Sequence, residues 1–464
     1  MQNSTSLDTN PDSASSTVVD AGVAPQPIAE DTRPHRWSIP ARIGFRFAFC
    51  YLGGYCVFNG NATIWSVIPG LGYKFAAVLA RVFLLPAQYL AQHLFHVAPP
   101  GNRLHPTGSG DTAIDWISLL LLLTLSVIAT AIWSMLDRRR PNYQTLFAWL
   151  RFLARMTVGF GLVAYGMAKL FPLQMPPPSV SSLAEPLGMH SPMAVLWNFI
   201  GLNPLYETVC GGAEFLAGAL LLFRRTALAG AILSAFVVTN VLLFNLFFDV
   251  PVKIYSGHLL LLSLFLIVPD IRALFRFFWK HEPAAPTGVW IPPSSRRWFR
   301  RATVAVEICF AALAIGGLLF GSFMGWRQRR ANVAAIAACQ LCRAWQVEAQ
   351  PSSTLRLPFP FDRQSRQIVF DSPTQAVLHD VLGKPTYVKI KLNAGQHTLE
   401  FDGPGKNKTD FAVAQNGPMT VTLTPIGDKA GNSATVSLVS LTPVDGYVLL
   451  HRGFHWISEY PYQR

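Results

Sequence analysis

Long apolar runs are the feature that most restricts what this chain can fold into. Stretches able to cross a bilayer, roughly 20 residues each, lie at about 42–59, 113–136, 147–171, 204–223, 227–248, 255–275 and 302–325. Of 464 residues, 14% are charged and 51% hydrophobic, whereas ordinary soluble domains carry about 25% charge. The expectation is a mainly α, polytopic membrane helix bundle of about seven spans, the first shortened by Arg42 and Arg46. Between the first two runs, "WSVIPGLGYKFAAVLARVFLLPAQYLAQHLFHV" spaces Lys74, Arg81, Gln88, Gln92 and His93 along a helical pattern. An interfacial or re-entrant helix is expected there, with an eighth span as the alternative.

The net charge of +13 does not read as nucleic-acid binding, because the basic residues sit in short loops between apolar runs. Arg33, Arg36 and Arg42, then Arg138, Arg139 and Arg140, then Arg224 and Arg225, then Arg272, Arg276, Lys280, Arg296, Arg297, Arg300 and Arg301 fall on one side. By the positive-inside tendency that side is cytoplasmic and includes the N-terminus, which gives a bacterial inner-membrane protein with its C-terminal region outside. "WRQRR" (Trp326 to Arg330) runs against the rule at the outer end of the last span. Residues 1–40, rich in Ser, Thr, Asp and Pro with no basic start or apolar core, read as a disordered cytosolic tail.

From about residue 353 the period changes. "LRLPFPF", "RQIVFD", "TYVKIKL", "HTLEF", "DFAVA", "MTVTLT", "ATVSLVSL" and "YVLLHRGF" alternate apolar and polar residues between turn formers, which predicts an all-β sandwich-like domain or open barrel outside the membrane. The expected organisation is the 1–40 tail, N-terminal spans and interfacial helix over 41–145, a four-helix core over 146–280, a loop and last span over 281–330, and the β-rich domain over 331–464.

Polar residues inside the spans are the candidate site. Taking the third to sixth spans as antiparallel neighbours and counting about 1.5 Å per residue, Lys169 and Glu207 fall at matching depth near the outer ends. Tyr165 lies one turn deeper than Lys169, and Glu214, seven residues beyond Glu207, shares its helix face about 15 Å down. Asn240 reaches nearly the same level, with Asn245, Asp249, Lys253 and His258 toward the mouth. An ionised carboxylate at mid-membrane costs at least about 2.5–3.5 kcal/mol, so Glu214 is expected to face inward against Asn240 or a ligand. Lys169 is expected opposite Glu207, either paired or snorkelling to the interface.

Two segments carry a family likeness. "RMTVGFGLVAYGMAKL" (Arg155 to Leu170, Arg-x3-Gly-x6-Gly-x2-Lys-Leu) and "GGAEFLAGALLLFRRTALAGAIL", with Glu214-x3-Gly218, resemble the DoxX/DoxD-like integral membrane proteins over about residues 150–275. The resemblance implies a four-helix membrane core, with Arg155, Lys169 and Glu214 at the matching positions. It also implies redox-linked chemistry with a quinone or thiol partner, since some members of the family are linked to thiosulfate:quinone oxidoreductase and others to thiol balance.

Cys339 and Cys342 form a Cys-x-x-Cys that serves either as a redox pair or as a structural one. No second cysteine pair completes a zinc site, and no Gly-rich phosphate loop, His-Glu-x-x-His or Gly-x-Ser-x-Gly is present. The expected roles are Glu214 and Lys169 as reactive groups, with Glu207, Asn240, Asn245, Asp249, Tyr165 and His258 as ligand contacts. Two functions remain in view: redox-linked chemistry with a quinone as the cofactor, or a non-enzymatic scaffold or carrier whose β-domain docks an envelope partner.

Overall fold

The computed structural model describes residues 36–59, 64–68, 71–97, 108–283, 296–348, 359–361, 366–380, 385–393, 397–402, 408–427, 434–442 and 447–451. The predicted N-terminal tail, apart from its last few residues, and residues 452–464 lie outside these residues. The helices are α1 (Ile39–Phe58), α2 (Gly72–His93), α3 (Ala113–Leu136), α4 (Gln144–Leu170), α5 (Val180–Ala184), α6 (Pro192–Gly201), α7 (Pro204–Leu222), α8 (Ala227–Phe247), α9 (Lys253–Ile267), α10 (Ile271–Lys280), α11 (Arg297–Ala337) and the short α12 (Val448–His451).

Among the described residues, seven helices are long and apolar enough to cross a membrane: α2, α3, α4, α7, α8, α9 continued by α10, and α11. The number matches the sequence reading, but the membership differs. Helix α1, expected as the first span, is not among the seven, because Arg42 and Arg46 dilute its apolar stretch. Helix α2, expected at the interface, is among them by length and composition.

Helix α4 is the centre of the bundle and contacts α1, α7, α9 and α11. Its approach to α7 is as close as two backbones allow. A Cβ on Gly166 would stand 2.5 Å from the Phe215 nitrogen, and one on Gly218 would stand 2.8 Å from the Gly159 oxygen. Small residues at such crossings replace the hydrophobic driving force that lipid does not supply between helices. The ends of the bundle are tied by polar contacts. At one end the Trp37 N–H donates to the Pro141 carbonyl (3.0 Å), and Arg42 and Arg46 donate to carbonyls of the α3–α4 connection. At the other, Asp111 accepts from the N–H groups of Lys253 and Ile254 at 2.7 and 2.9 Å, joining the starts of α3 and α9.

The 41 residues of α11 make a rod about 60 Å long at 1.5 Å per residue, twice the hydrocarbon thickness. Its inner part packs Ala311 and Ala314 on α4, and its far end carries the "WRQRR" segment. Arg329 donates to the Pro172 carbonyl and Arg330 stacks over Trp326 at 4.8 Å. Arg329 and Arg330 thus make local contacts within the protein.

The C-terminal domain is a closed antiparallel barrel and not a sandwich. Its strands are β1 (Ala344–Glu348), β2 (Gln367–Ser372), β3 (Gln375–His379), β4 (Pro385–Asn393), β5 (Thr398–Asp402), β6 (Lys408–Gly417), β7 (Thr420–Ile426) and β8 (Val436–Ser440). Closure comes from β1, which pairs β2 on one side and β8 on the other, with Trp345 opposite Ser440. Two expected strands are corrected. "YVLLHRGF" contributes the helix α12 at Val448–His451, and the described part of "LRLPFPF", residues 359–361, contains no strand. Their places are taken by β1 and β3. An eight-stranded barrel is just wide enough for side chains to fill, and here Trp345, Phe361, Phe370, Phe401 and Phe411 do so. Ser181 in α5 docks on this domain, its N–H and hydroxyl both bonded to Asp371 (2.8 and 2.6 Å).

Phe401 is fully buried and meets Phe361 and Phe411 edge-on. Phe401→Ala is expected to cost about 3–5 kcal/mol. Denaturant titration of the full chain, read by proteolysis within the barrel, checks this, and an unchanged midpoint would contradict the packed-barrel description.

Candidate ligand site in the helical core

The deep polar groups of the bundle are resolved into pairs. Lys169 of α4 forms an ion pair with Glu214 of α7, and both side chains are buried. Arg151 pairs with Asp270 at 3.2 Å, and Arg155 pairs with Glu307 of α11. Pairing is what makes such burial tolerable, because a lone charge in hydrocarbon is expensive.

Lys169 was expected opposite Glu207, and the structure pairs it two turns deeper. Its Cβ lies against Gly211, which is four residues from Glu207 and three from Glu214. The lean of helical side chains toward the N-terminus decides between them. On α4 this lean carries Lys169 inward, and on antiparallel α7 it carries Glu214 toward Lys169 and Glu207 away. Glu207 instead accepts the backbone N–H groups of Gln174 (3.1 Å) and Met175 (2.9 Å). It pins the "PLQMPPP" segment to the start of α7.

Beside the ion pair is a cavity of about 620 Å³. Its walls come from α4 (Leu162, Tyr165, Lys169), α7 (Cys210, Ala213, Glu214), α8 and α9 (Tyr255, Ser256, Leu259), and its cover is Gln174, Met175 and α6 (Leu196, Trp197, Ile200). Pro192 at the first turn and the Ser191 cap, which accepts the Ala194 N–H at 3.2 Å, start α6 where the cover needs it. The size is that of small-molecule sites, and the mixture of an apolar wall with few polar groups is also theirs. Phe236, which lines the cavity, is 78% exposed on the outer side of α8, and Leu243 is exposed there too. The cavity therefore opens sideways between helices.

Of the expected contacts, Tyr165, Lys169, Glu214, Asn240 and Asn245 line this cavity. Asn240 is exposed at its rim and does not reach Glu214, whose second oxygen finds no hydrogen-bond partner among the described residues. The cause is helical phase: α8 buries Ala231, Ser234, Val238 and Asn245, and Asn240 is roughly half a turn around from Val238. Asn245 is occupied, donating to the Ser256 hydroxyl at 2.9 Å. Asp249, exposed, accepts from Lys253 at 2.8 Å. His258 lies outside the lining, stacked on Tyr55 with ring centroids 3.8 Å apart and bonded to the Tyr51 hydroxyl at 2.9 Å. Cys339 and Cys342 form a disulfide at the junction of α11 with the barrel, with Cys339 half-buried and Cys342 buried.

Sequence reasoning missed Gln174 and Tyr255 in the lining, and Arg151 with Asp270 among the pairs. An arginine inside the apolar "WLRFLARM" was a usable signal for Arg151. Tyr255 gave none, because a tyrosine near a helix start reads as an interface anchor.

A curated protein of Bacillus subtilis (strain 168), the uncharacterized protein YwoB, is 31% identical over 131 residues, which are 28% of this chain and 81% of that protein. The chain belongs to the YwoB family. Most of the chain lies outside the stretch shared with YwoB. No protein-family model and no solved structure matches it.

Lys169→Met leaves Glu214 buried without its partner and is expected to destabilise by about 3–5 kcal/mol. The double variant Lys169→Met, Glu214→Leu is expected to recover much of that loss. Thermal unfolding in detergent measures both, and a double variant no better than the single one would show the pair does not act as a unit.

Proposed function

We propose that this is a DoxX-like inner-membrane protein, N-terminus cytoplasmic and barrel outside, whose helical core binds a small lipid-borne ligand beside the Lys169–Glu214 pair. The activity class is redox-linked, with a quinone or thiol partner. The observation that carries the reading is a cavity of about 620 Å³ that combines this buried ion pair with an opening on the lipid-facing side of α8. An amphipathic head group is held best where an apolar wall surrounds a few fixed charges. In this reading Glu214 is the group that binds or exchanges a proton with the ligand, Lys169 holds its charge in place, and Glu207 fixes the cover. Tyr165 and Asn245 shape the wall. The orientation is supported by the basic residues around the α3–α4 connection, where α1 also begins.

A second reading, a scaffold or carrier, is favoured by the barrel. Its interior is filled by side chains, so it is suited to docking an envelope partner and not to holding a ligand inside.

Glu214→Gln and Lys169→Met are each expected to fail to complement a deletion strain while remaining in the membrane by immunoblot. Full complementation by both ends the ligand-site proposal. For topology, a chain keeping only Cys339 and Cys342 is expected to react with a membrane-impermeant maleimide in intact spheroplasts after mild reduction. Reaction only after lysis would reverse the orientation.

A further inference from the structure

Two acceptor atoms on residues that line the cavity lack a hydrogen-bond partner among the described residues: Oε2 of Glu214 and Oε1 of Gln174. Glu214 is only 3% exposed, so bulk water does not satisfy it. Buried polar groups are nearly always bonded, and an orphan in a native cavity calls for an explanation. Lys169 donates to Oε1 of Glu214, and Asn245 to the Ser256 hydroxyl.

The orphans have a definite sign. A carboxylate oxygen and an amide oxygen accept only. Both unpartnered atoms are acceptors, and a ligand that brings a donor is held by a charge-assisted bond to Glu214. The rest of the lining is apolar and reaches the exposed face of α8 at Phe236 and Leu243, so the remainder of the ligand is hydrocarbon arriving from the bilayer.

We infer that the cavity selects a membrane-soluble hydroxyl compound, a phenol or alcohol with an apolar tail, whose O–H donates to Oε2 of Glu214. This rests on the ligand site proposed above and departs from its quinone partner in one respect: an oxidised quinone, which only accepts, is disfavoured, and a reduced, hydroxyl-bearing head group is held. It predicts discrimination against compounds of the same shape that only accept, because a site built for a donor leaves its own buried acceptor unpaired when the donor is missing.

The test uses a matched pair, 4-nonylphenol and 4-nonylanisole, which differ at the head only by methylation of the oxygen. Binding is measured by mass spectrometry of ligand retained on the full-length protein in phosphatidylcholine nanodiscs, with empty nanodiscs subtracted. The phenol is expected to bind roughly tenfold more tightly or better. Glu214→Gln, which can turn an amide N–H into the cavity, is expected to erase that preference. Thermal unfolding in the same nanodiscs shows whether Glu214→Gln is folded, and the two compounds are compared on the unaltered protein in either case. Equal binding of the two compounds to the unaltered protein overturns the donor inference while leaving a ligand site. Binding of neither removes the site itself and the inference with it. A preference that persists in folded Glu214→Gln shows that Glu214 is not the acceptor.

Discussion

A charge placed in hydrocarbon must find its opposite, and in this bundle the Lys169–Glu214 pair is where that requirement shapes the structure most. Both side chains are buried, and each is tolerable only because of the other. The pair forms because α4 and α7 touch backbone to backbone. Gly159, Gly166, Gly211 and Gly218 leave no room for a Cβ at the crossing, and any larger residue there would push Glu214 out of reach. Close packing and charge neutralisation are thus one arrangement seen from two sides, and the cavity is the space the same crossing leaves next to α8.

The remaining pairs extend this logic outward. Arg151 holds α9 to α4 through Asp270 and the Leu266 carbonyl, and Arg155 holds α11 through Glu307. Beyond the bundle, Glu207 and Arg329 grip the backbone of the 172–175 segment, and Asp371 of the barrel grips Ser181. The cover of the cavity is therefore held by the helical core and by the barrel domain together. That gives the C-terminal domain a mechanical link to the site without placing any of its side chains in the lining.

Much of this was legible in the sequence. Apolar run length gave six of the seven helices, and the rarity of charge within them singled out Lys169 and Glu214. Depth counting then paired Lys169 with Glu207, because rise per residue locates a Cα but not the direction in which a long side chain leans. Asn240 failed for a related reason: its depth is close to that of Glu214 but its phase on α8 turns it outward. Arg151–Asp270 and Arg155–Glu307 join residues 119 and 152 positions apart, and no local pattern announces them. In the barrel, alternation revealed β2 and β4 through β8, whereas β1 at Ala344–Glu348 directly follows the Cys-x-x-Cys and precedes residue 353, where the period changes. Its pairing with β8, which decides barrel over sandwich, is a contact between the two ends of the domain.

The central claim is that Glu214 stands beside Lys169 with one oxygen turned to a ligand cavity. Infrared difference spectroscopy on the protein in nanodiscs, recorded on adding 4-nonylphenol, reads that oxygen directly. The account predicts a perturbed carboxylate stretch that is absent from the Glu214→Gln protein. A difference spectrum with no carboxylate band, or with the same band in the variant, would contradict it.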